Sequence, residues 1–396
     1  MRQAWHRARS ALAVFFFSGL VLCSASANAQ LMIVGNDEKP GWDNDMKPVV
    51  NPSGHDTLSI IDVSKPATPK ITATIPLDNS IVGPPTNLAI TPKGELALVA
   101  NSVNEAEKEG KPAFVSDDRL FVVDLKANPP AVIATLHLGK RPSGMAISSD
   151  GKLALVTNRD DGTISVLSID GKEVKVTDTV TVGAGPDQVS AIAITPDGKR
   201  ALAAKAAANK IAVLTIDNGK VTYGKQDLPT GIFPYNVVIS PDGKLALTAD
   251  NGNGGSSDGN VDSIGVIDME ADPIRVIDHI AATDSPEGLA FSPKGNLAVS
   301  VDARGSNYPI STWFHNDTGA LTVLKIDGKK VTRAGVVPVG KFPEGAAFSP
   351  KGDYLYVGNF IDKDLSVLKV DGDKLTDTKQ RFKLPGQPAS MRSGPQ

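Results

Sequence analysis

Cysteine is nearly absent from this chain of 396 residues: the single copy is Cys23, within the first 29 residues. Beyond those residues no disulfide and no thiolate chemistry are possible, so the fold has to be stabilised by its core. Histidine is also scarce, with five copies, and no two of them stand at the spacing of metal ligands. A zinc site and a Ser-His-Asp triad are therefore poorly supported.

Long hydrophobic runs are missing beyond residue 30, which argues against a membrane-spanning helix. The one apolar stretch, residues 11–22, is too short for an anchor and is followed by the small-residue pattern Ala27-Asn28-Ala29. Arginines precede it at positions 2, 7 and 9. This order is typical of a Sec-type signal peptide of a bacterial protein. We predict that residues 1–29 are cleaved and that residues 30–396 form one periplasmic or secreted domain.

An excess of positive charge is absent as well. The whole chain carries a formal net charge of −3, and loss of the three N-terminal arginines would bring it near −6. An acidic protein is a poor partner for nucleic acid or for an anionic membrane surface. We therefore expect neither as a partner.

What the chain does contain is a repeat: a β-branched apolar residue followed by Asp returns seven times, at spacings of 44 to 62 residues. Because a single small unit cannot bury its own apolar face, such a period predicts stacked modules in a solenoid or a propeller. The simplest role for each Asp is a local bond to turn amides. The seven copies end at Asp62, Asp124, Asp170, Asp217, Asp268, Asp327 and Asp371.

Each module reads as four short strands separated by turn residues, as residues 139–183 show most clearly. A turn of the type Ser-Pro-Asp-Gly follows the first strand six times, starting at positions 91, 148, 195, 240, 292 and 349. The missing seventh copy is explained by the chain ends. Residues 32–36 resemble a second strand, and residues 386–391 resemble the start of a first strand.

If the two termini share one module, the ring closes and few strand edges stay free. The sequence therefore predicts an all-β, seven-bladed β-propeller with four antiparallel strands per blade and a closing blade built from both termini. Residues 153–158 and 355–359, each preceded by a proline-containing loop and a Ser-Pro-Asp-Gly-like turn, resemble the YVTN family of propeller repeats. That resemblance implies relatives that include sugar-lactone hydrolases, subunits of amine-oxidising enzymes and cell-surface proteins.

Variation is expected on one face of this propeller. The regular turns and the repeated Asp residues share one face, whereas the connections from the second to the third strand lie on the other. Those connections are long after Asn36, Asn101, Asp250 and Asp302. They belong to two opposed pairs of blades, so we expect two walls with a cleft between them, where binding usually resides.

Aromatic residues make up only 5% of the chain, and Trp42 and Trp313, the two tryptophans beyond residue 29, both lie in these insertions. Exposed rigid aromatic side chains suit stacking on a small molecule or packing against a partner protein. The alternative is that they hold their own loops onto the propeller. His315, near Trp313, is a candidate general base.

Two rings of positions should surround the mouth of the central channel. The position after the loop proline holds Thr86, Ser143, Tyr235, Glu287, Glu344 and Ala389. The end of each second strand holds Asn36, Asn101, Asn158, Lys205, Asp250, Asp302 and Asn359.

The acids of the two rings fall in one sector, so Asp250, Asp302, Glu287 and Glu344 are expected to converge. Crowded carboxylates raise one another's pKa or recruit Ca²⁺ or Mg²⁺. A hydrated acidic rim is the alternative. Lys205 is the lone cation of its ring and would either hold an anionic ligand or neutralise Asp250.

These patterns leave three functions open. The first is binding of a small molecule or partner protein in the cleft, through Trp42, Trp313, His315, Tyr235, Asn101, Asn158 and Lys205. The second is lactone or ester hydrolysis, with Glu287, Glu344 or His315 as catalytic candidates and with help from a metal at Asp250, Asp302, Glu287 and Glu344. The third is a propeller subunit of a periplasmic dehydrogenase, whose redox chemistry a second chain would have to carry.

Overall fold

The computed structural model describes residues 30–80 and 82–394. It shows seven four-stranded antiparallel sheets arranged as a propeller, which confirms the predicted fold. Two short 3₁₀ helices, Gly185–Asp187 and Ala206–Ala208, accompany the sheets. Among the described residues, no helix has the length and hydropathy needed to cross a membrane. The predicted signal peptide, residues 1–29, lies outside the described residues.

From the innermost strand outwards, blade 1 contains Leu88–Ile90, Leu96–Ala100, Arg119–Asp124 and Ala131–His137. Blade 2 contains Pro142–Ile147, Leu153–Asn158, Thr163–Asp170 and Glu173–Thr181. Blade 3 contains Val189–Ile194, Arg200–Lys205, Lys210–Asp217 and Lys220–Pro229. Blade 4 contains Pro234–Ile239, Leu245–Asp250, Ser263–Asp268 and Arg275–Ala281. Blade 5 contains Pro286–Phe291, Leu297–Asp302, Ala320–Asp327 and Lys330–Pro338. Blade 6 contains Pro343–Phe348, Tyr354–Asn359, Asp364–Asp371 and Lys374–Lys383.

The closing blade joins the two ends of the chain. Its strands are Pro388–Ser393, Leu31–Asn36, Thr57–Asp62 and Lys70–Pro76, so the C-terminal strand is innermost. It pairs antiparallel with the N-terminal strand, with Met32 opposite Ser393 and Val34 opposite Met391. As the sequence predicted, the last blade is completed only when both termini are in place.

The core lies between neighbouring blades rather than inside any one of them. Leu155 and Val166 of blade 2, for example, share a buried cluster with Ala203 and Leu214 of blade 3. Second strands such as Leu153–Asn158 are buried along their whole length because both sheet faces are covered. Since each fully buried aliphatic side chain contributes roughly 1.5–3 kcal/mol, the ring supplies the stability that disulfides cannot.

The repeated turn after each first strand is a hydrogen-bonded unit. The Ser148 hydroxyl donates to Asp150 Oδ1 at 2.6 Å and accepts the Leu153 amide at 3.0 Å. The hydrogen bond from Ser148 lowers the pKa of Asp150. Gly151 has φ of 73°, a left-handed conformation that glycine adopts without strain. A hydroxyl side chain at the first position and glycine at the fourth thus build this turn, and threonine replaces serine at positions 91 and 195.

Some of the repeated third-strand acids also connect blades. Asp124 accepts the amides of Lys126 and Ala127 and pairs with Lys172 of the next blade at 2.6 Å. Asp268 repeats the pattern, with an amide hydrogen bond from Glu270 and a 2.8 Å ion pair to Lys329. These acids serve the architecture, as the local role predicted for them implies.

The four long connections all leave the opposite face. Those of the closing blade and blade 1 form two-stranded hairpins, Pro40–Trp42 with Pro48–Val50 and Val103–Lys108 with Lys111–Ser116. Those of blades 4 and 5, residues 251–262 and 303–319, contain no strand. The insertion-bearing face is therefore where this chain departs from its repeat.

Candidate functional site at the channel mouth

The residue after each loop proline sits at a β-bulge on the innermost strand. In blade 4, Pro234 pairs with Asp250 and Asn236 with Ala249, which leaves Tyr235 without a partner in the ladder. In blade 5 the unpaired residue is Glu287. In blade 6 the register shift spans Glu344. Because a bulge re-aims a side chain, these three residues of consecutive blades meet at the channel mouth.

A second set of residues stands directly before the first strands of blades 2 to 6. Five of these residues have left-handed backbone, with φ between 47° and 58°. Such φ values are uncommon outside glycine and cost energy that the surrounding fold has to hold. The five are Arg141, Gln188, Phe233, Ser285 and Phe342.

The centre of the site is a pair of buried carboxyl groups, Glu287 and Glu344, which are 4% and 2% exposed. Glu287 accepts hydrogen bonds from Asn251 Nδ2 and Ser285 Oγ, both at 3.1 Å. Within the described residues, no side chain or amide donates to the Glu344 carboxyl. Burial raises the pKa of both groups, and the charge of Glu287 raises that of Glu344 further. Two adjacent buried carboxyls share a proton more readily than they ionise together.

Two guanidinium groups act electrostatically on Tyr235, and one of them, Arg159, also acts on Glu287. Arg159 is buried and donates to Gln188 Oε1 at 2.6 and 3.2 Å, a neutral partner. Arg141 contacts Asp160 at 3.4 Å, while its Nε is buried without a hydrogen-bond partner in the described residues. Burial and then repulsion from Arg159 lower the pKa of Arg141. The arginines therefore have unused capacity to bind an anion.

Tyr235 lies between the acidic and the basic groups. Its ring stacks on Phe233 with centroids 6.1 Å apart, and the Arg159 guanidinium lies 5.5 Å from the ring centroid. Burial raises the pKa of Tyr235 and so keeps the phenol protonated; both glutamates and both arginines act on it electrostatically. The five groups thus form one connected site, although they come from blades 2, 4, 5 and 6.

Hydrogen bonds to two carboxylates hold the blade 4 insertion over this site. Asp262 accepts the Ser285 amide at 2.7 Å, and Asp284 accepts the amides of Asp258 and Gly259 at 3.1 and 3.2 Å. Burial raises the pKa of Asp262 to about 7. These contacts hold the loop that carries Asn251 against the first strand of blade 5.

The other two acids expected to converge do not reach the mouth. Asp250 accepts hydrogen bonds from Thr248 and Ser263 of its own blade, at 2.8 and 2.9 Å. Asp302 accepts them from Thr283, Ser300 and Thr322, each at 2.6 Å. Over residues 30–80 and 82–394, no three His, Cys, Asp or Glu side chains are grouped so as to hold a metal ion. Ca²⁺ or Mg²⁺ binding stays a prediction without a supporting cluster.

The polar residues of the second ring also turn into their own blades. Asn101 donates to Asn104 at 2.9 Å and to Asp117 at 2.6 Å. Asn158 donates to Thr163 and Ser165, both at 2.9 Å. Lys205 pairs with Asp227 at 3.1 Å rather than with Asp250, because the outermost strand of its own blade supplies a carboxylate within reach.

The two tryptophans have different environments. Trp42 is half-buried and packs edge-on against Phe342 and Phe360, with centroids 5.5 and 5.8 Å apart. It holds the closing-blade insertion onto blade 6, which is the alternative considered for it. Trp313 is 79% exposed and is braced by Phe314 at 5.4 Å. His315 bonds to the Tyr308 carbonyl through Nδ1 at 2.8 Å, so it holds the loop around Trp313.

Trp313 belongs to an exposed apolar ridge on blades 4 and 5. Its other members are Ile310 at 83%, Val261 at 71% and Ile232 at 65% exposure, and every other exposed large apolar side chain in the described residues is at 43% or less. A Cβ added at Gly259 would lie 2.6 Å from the Trp313 ring, so the two insertions touch here. The ridge lies on the insertion-bearing face, where one wall of a cleft was predicted.

Sequence reasoning missed Arg141, Arg159 and Gln188. Two of them lie close to a ring position that was chosen: Arg141 is two residues before Ser143, and Arg159 directly follows Asn158 at the end of a second strand. Arg141 and Gln188 have left-handed backbone, which the residue types at these positions do not predict. The unusual pair of arginines around one repeat was the available signal.

Comparison with known proteins agrees with the propeller fold. A family model described as "Lactonase, 7-bladed beta-propeller" matches residues 181–254. No curated protein matches the chain in sequence. A proposed 6-phosphogluconolactonase from Bacteroides fragilis is 19% identical, with a TM-score of 0.66 over 93% of this chain and 99% of its own.

Two further solved structures share the architecture. The periplasmic gluconolactonase of Pseudomonas aeruginosa is 19% identical, with a TM-score of 0.66 over 92% of this chain and 99% of its own. Kuenenia stuttgartiensis hydrazine synthase is 21% identical, with a TM-score of 0.61 over 82% of this chain and 93% of that chain. Identities this low show the fold. The chain is thus a seven-bladed propeller similar to lactonase-type propellers, and one stretch of it matches a lactonase family model.

Proposed function

We propose that this protein hydrolyses a lactone at the channel mouth. The observation that carries the proposal is the buried pair Glu287 and Glu344, in which Glu344 has no hydrogen-bond partner among the described residues. Carboxyl groups whose pKa is raised by burial and by a neighbouring charge cluster at sites where they transfer protons. The sequence placed ligand binding ahead of hydrolysis; this geometry and the lactonase-type likenesses favour hydrolysis.

A pair that holds one proton supplies both catalytic groups. The ionised carboxylate takes a proton from water while the water oxygen bonds to the lactone carbonyl carbon. The resulting tetrahedral intermediate then breaks its bond to the ring oxygen. The protonated carboxyl donates its proton to that oxygen, and a hydroxy acid leaves. The pair again holds one proton, so the cycle closes without a cofactor-dependent step.

In this proposal, Arg141 and Arg159 select a substrate that carries negative charge. The side-chain hydrogen bonds of Arg159 go to a neutral partner, Gln188, and Arg141 has a buried Nε without a partner in the described residues. A ligand anion would therefore supply charged hydrogen-bond acceptors to both guanidinium groups. A lactone that carries a carboxylate or phosphate meets this requirement. The signal peptide predicted for residues 1–29 would place the reaction in the periplasm or outside the cell.

Turnover of a lactone panel tests the proposal. We expect purified protein to hydrolyse at least one of gluconolactone and 6-phosphogluconolactone, with and without EDTA. Turnover is measured by the protons that the hydroxy acid product releases. Arg159→Met should raise KM for the phosphorylated lactone by at least tenfold, because each lost charge-assisted hydrogen bond costs about 1.5–3 kcal/mol. Arg275→Met, on an exposed outer strand, is the matched control. No turnover of any lactone, with or without added Ca²⁺ or Mg²⁺, would contradict the proposal.

A second candidate function is docking of a partner protein on the exposed apolar ridge. The ridge combines rigid Trp313 with branched aliphatic side chains, a composition that suits a protein surface. The nearby exposed carboxylates, such as Asp317, repel an anionic membrane and would face their own copies in a symmetric dimer. A partner with apolar and basic residues fits best. No observation favours the dehydrogenase-subunit alternative, since the likeness to hydrazine synthase shows the fold alone.

A single-tryptophan variant tests the ridge. Trp42→Phe leaves Trp313 as the one tryptophan beyond residue 29. A partner isolated from the host should shift Trp313 fluorescence, bind more weakly as salt rises, and lose at least tenfold in affinity with Trp313→Ala but not with Ile133→Ser. Three outcomes would overturn this candidate. They are a partner affinity that Trp313→Ala leaves unchanged, self-association of the protein through the ridge, and binding of the ridge to anionic vesicles.

A further inference from the structure

We infer that the Tyr235 hydroxyl is a catalytic hydrogen-bond donor, which stabilises the oxyanion formed when water attacks the lactone carbonyl. This inference rests on the proposed hydrolysis and adds to it a residue with a separate role. Glu287 and Glu344 move protons, whereas Tyr235 would hold the charge that develops on the carbonyl oxygen.

The position of Tyr235 is the first argument. It occupies the bulge of blade 4, where blades 5 and 6 carry Glu287 and Glu344 at the corresponding place. Blades 2 and 3 offer only Ser143 and Ser190 near that place. Because these residues are small, the Arg159 side chain of blade 2 can extend across blade 3 to the face of the Tyr235 ring. Tyr235 thus lies within electrostatic reach of both the carboxyl pair and the guanidiniums.

The Tyr235 ring is fixed by its neighbours, whereas its hydroxyl makes no hydrogen bond with the described residues. Phe233 stacks on one side, Arg159 lies over the ring, and the Ser190 hydroxyl donates to the Tyr235 carbonyl at 2.9 Å. No described residue makes a hydrogen bond with the Tyr235 hydroxyl. Although the ring is buried, the hydroxyl is not among the enclosed polar atoms that lack a partner, so it is open to the channel and available to a ligand.

The environment keeps this donor protonated. Burial, with added repulsion from Glu287 and Glu344, outweighs the attraction of the arginines and raises the pKa of Tyr235. The phenol therefore donates a hydrogen bond without giving up its proton. During attack, the carbonyl π electrons move to oxygen; the O–H of Tyr235 and the positive field of Arg159 meet that charge. When the ring C–O bond breaks, the carbonyl re-forms and the hydrogen bond relaxes.

Tyr223 provides a matched control in the same protein. Its hydroxyl donates to Asp227 at 2.6 Å on the outermost strand of blade 3. Burial, followed by the hydrogen bond to Asp227, raises its pKa too. The two tyrosines therefore share a shifted pKa and differ in whether the hydroxyl is already used.

Steady-state kinetics of Tyr235→Phe tests the inference on the lactone that the wild type turns over best. We expect kcat to fall about 10²–10³-fold, the usual effect of losing one oxyanion donor, with KM within about threefold of wild type. The stacked ring is retained, so the thermal midpoint should change little. Affinity for the hydroxy acid product, measured by calorimetry, should also stay within about threefold because the product has no oxyanion of this kind. Tyr223→Phe should leave kcat unchanged.

The outcomes separate the two proposals. An active wild type with an equally active Tyr235→Phe variant overturns the role of Tyr235 and leaves the hydrolase proposal standing. A loss confined to KM, or a matching loss of product affinity, assigns Tyr235 to binding and also overturns it. A wild type without turnover on any lactone overturns both. If Tyr235→Phe is unstable, 3-fluorotyrosine at position 235 keeps the ring and strengthens the donor, and an unchanged kcat would count against the inference.

Discussion

Glu344→Gln is expected to lower kcat for lactone hydrolysis by about 10²–10⁴-fold, the range for loss of a general acid or base. Gln keeps the shape of Glu but cannot exchange a proton. Because Glu344 makes no hydrogen bond with the described residues, no native contact is broken and the variant should fold. Glu173→Gln, on the exposed outer strand of blade 2, is the control and should keep full activity.

The same variant should change how stability depends on pH. Burial, and then the charge of Glu287, raises the pKa of Glu344 well above 4.5. At a pH between the unfolded and the folded pKa, the folded protein retains a proton that the unfolded chain releases. The free energy of unfolding of the wild type therefore falls as pH rises from about 4.5 towards neutrality and beyond.

Glu344→Gln removes this proton difference, so its stability should fall less steeply over that interval. Denaturant unfolding at a series of pH values measures the slope. Parallel slopes for wild type and variant would mean that Glu344 ionises normally, which would remove the basis for the catalytic pair.

Lys39→Met is expected to cause the largest loss of stability, about 3–5 kcal/mol, because removing one partner of a buried ion pair leaves uncompensated charge. Lys39 is fully buried and contacts Asp37 at 2.9 Å, Asp56, and the Asn79 carbonyl. Burial alone would lower its pKa, but Asp37 and Asp56 together raise it. The triad anchors the closing-blade insertion beside the joined termini.

Lys47→Met is the matched control, since Lys47 and its partner Asp45 are exposed in the same insertion, 3.5 Å apart. Exposed pairs contribute about 0–1 kcal/mol, so this variant should unfold near the wild-type midpoint. Guanidinium unfolding followed by circular dichroism measures both. Equal midpoints for the two variants would show that the buried triad does not hold the closing blade.

The candidate site was only partly predictable. Counting from the loop proline predicted Tyr235, Glu287 and Glu344, since a repeat places equivalent residues at equivalent points of the ring. Asp250 and Asp302 were misjudged because hydroxyl groups within the same blade satisfy them first. Strand periodicity says which face a residue occupies, but not which neighbouring hydroxyl its carboxylate accepts from.

By itself the sequence determined the seven-bladed ring, its shared closing blade and the face that bears the insertions. The repeated sequence pattern predicts these features, because each blade has to bury the same apolar faces and make the same turns. Tertiary structure alone decided that Arg159 of blade 2 reaches the Tyr235 ring of blade 4, and that Trp42 is packed while Trp313 is exposed. These outcomes depend on left-handed backbone, bulges and contacts between distant blades, where packing in three dimensions outweighs local preference.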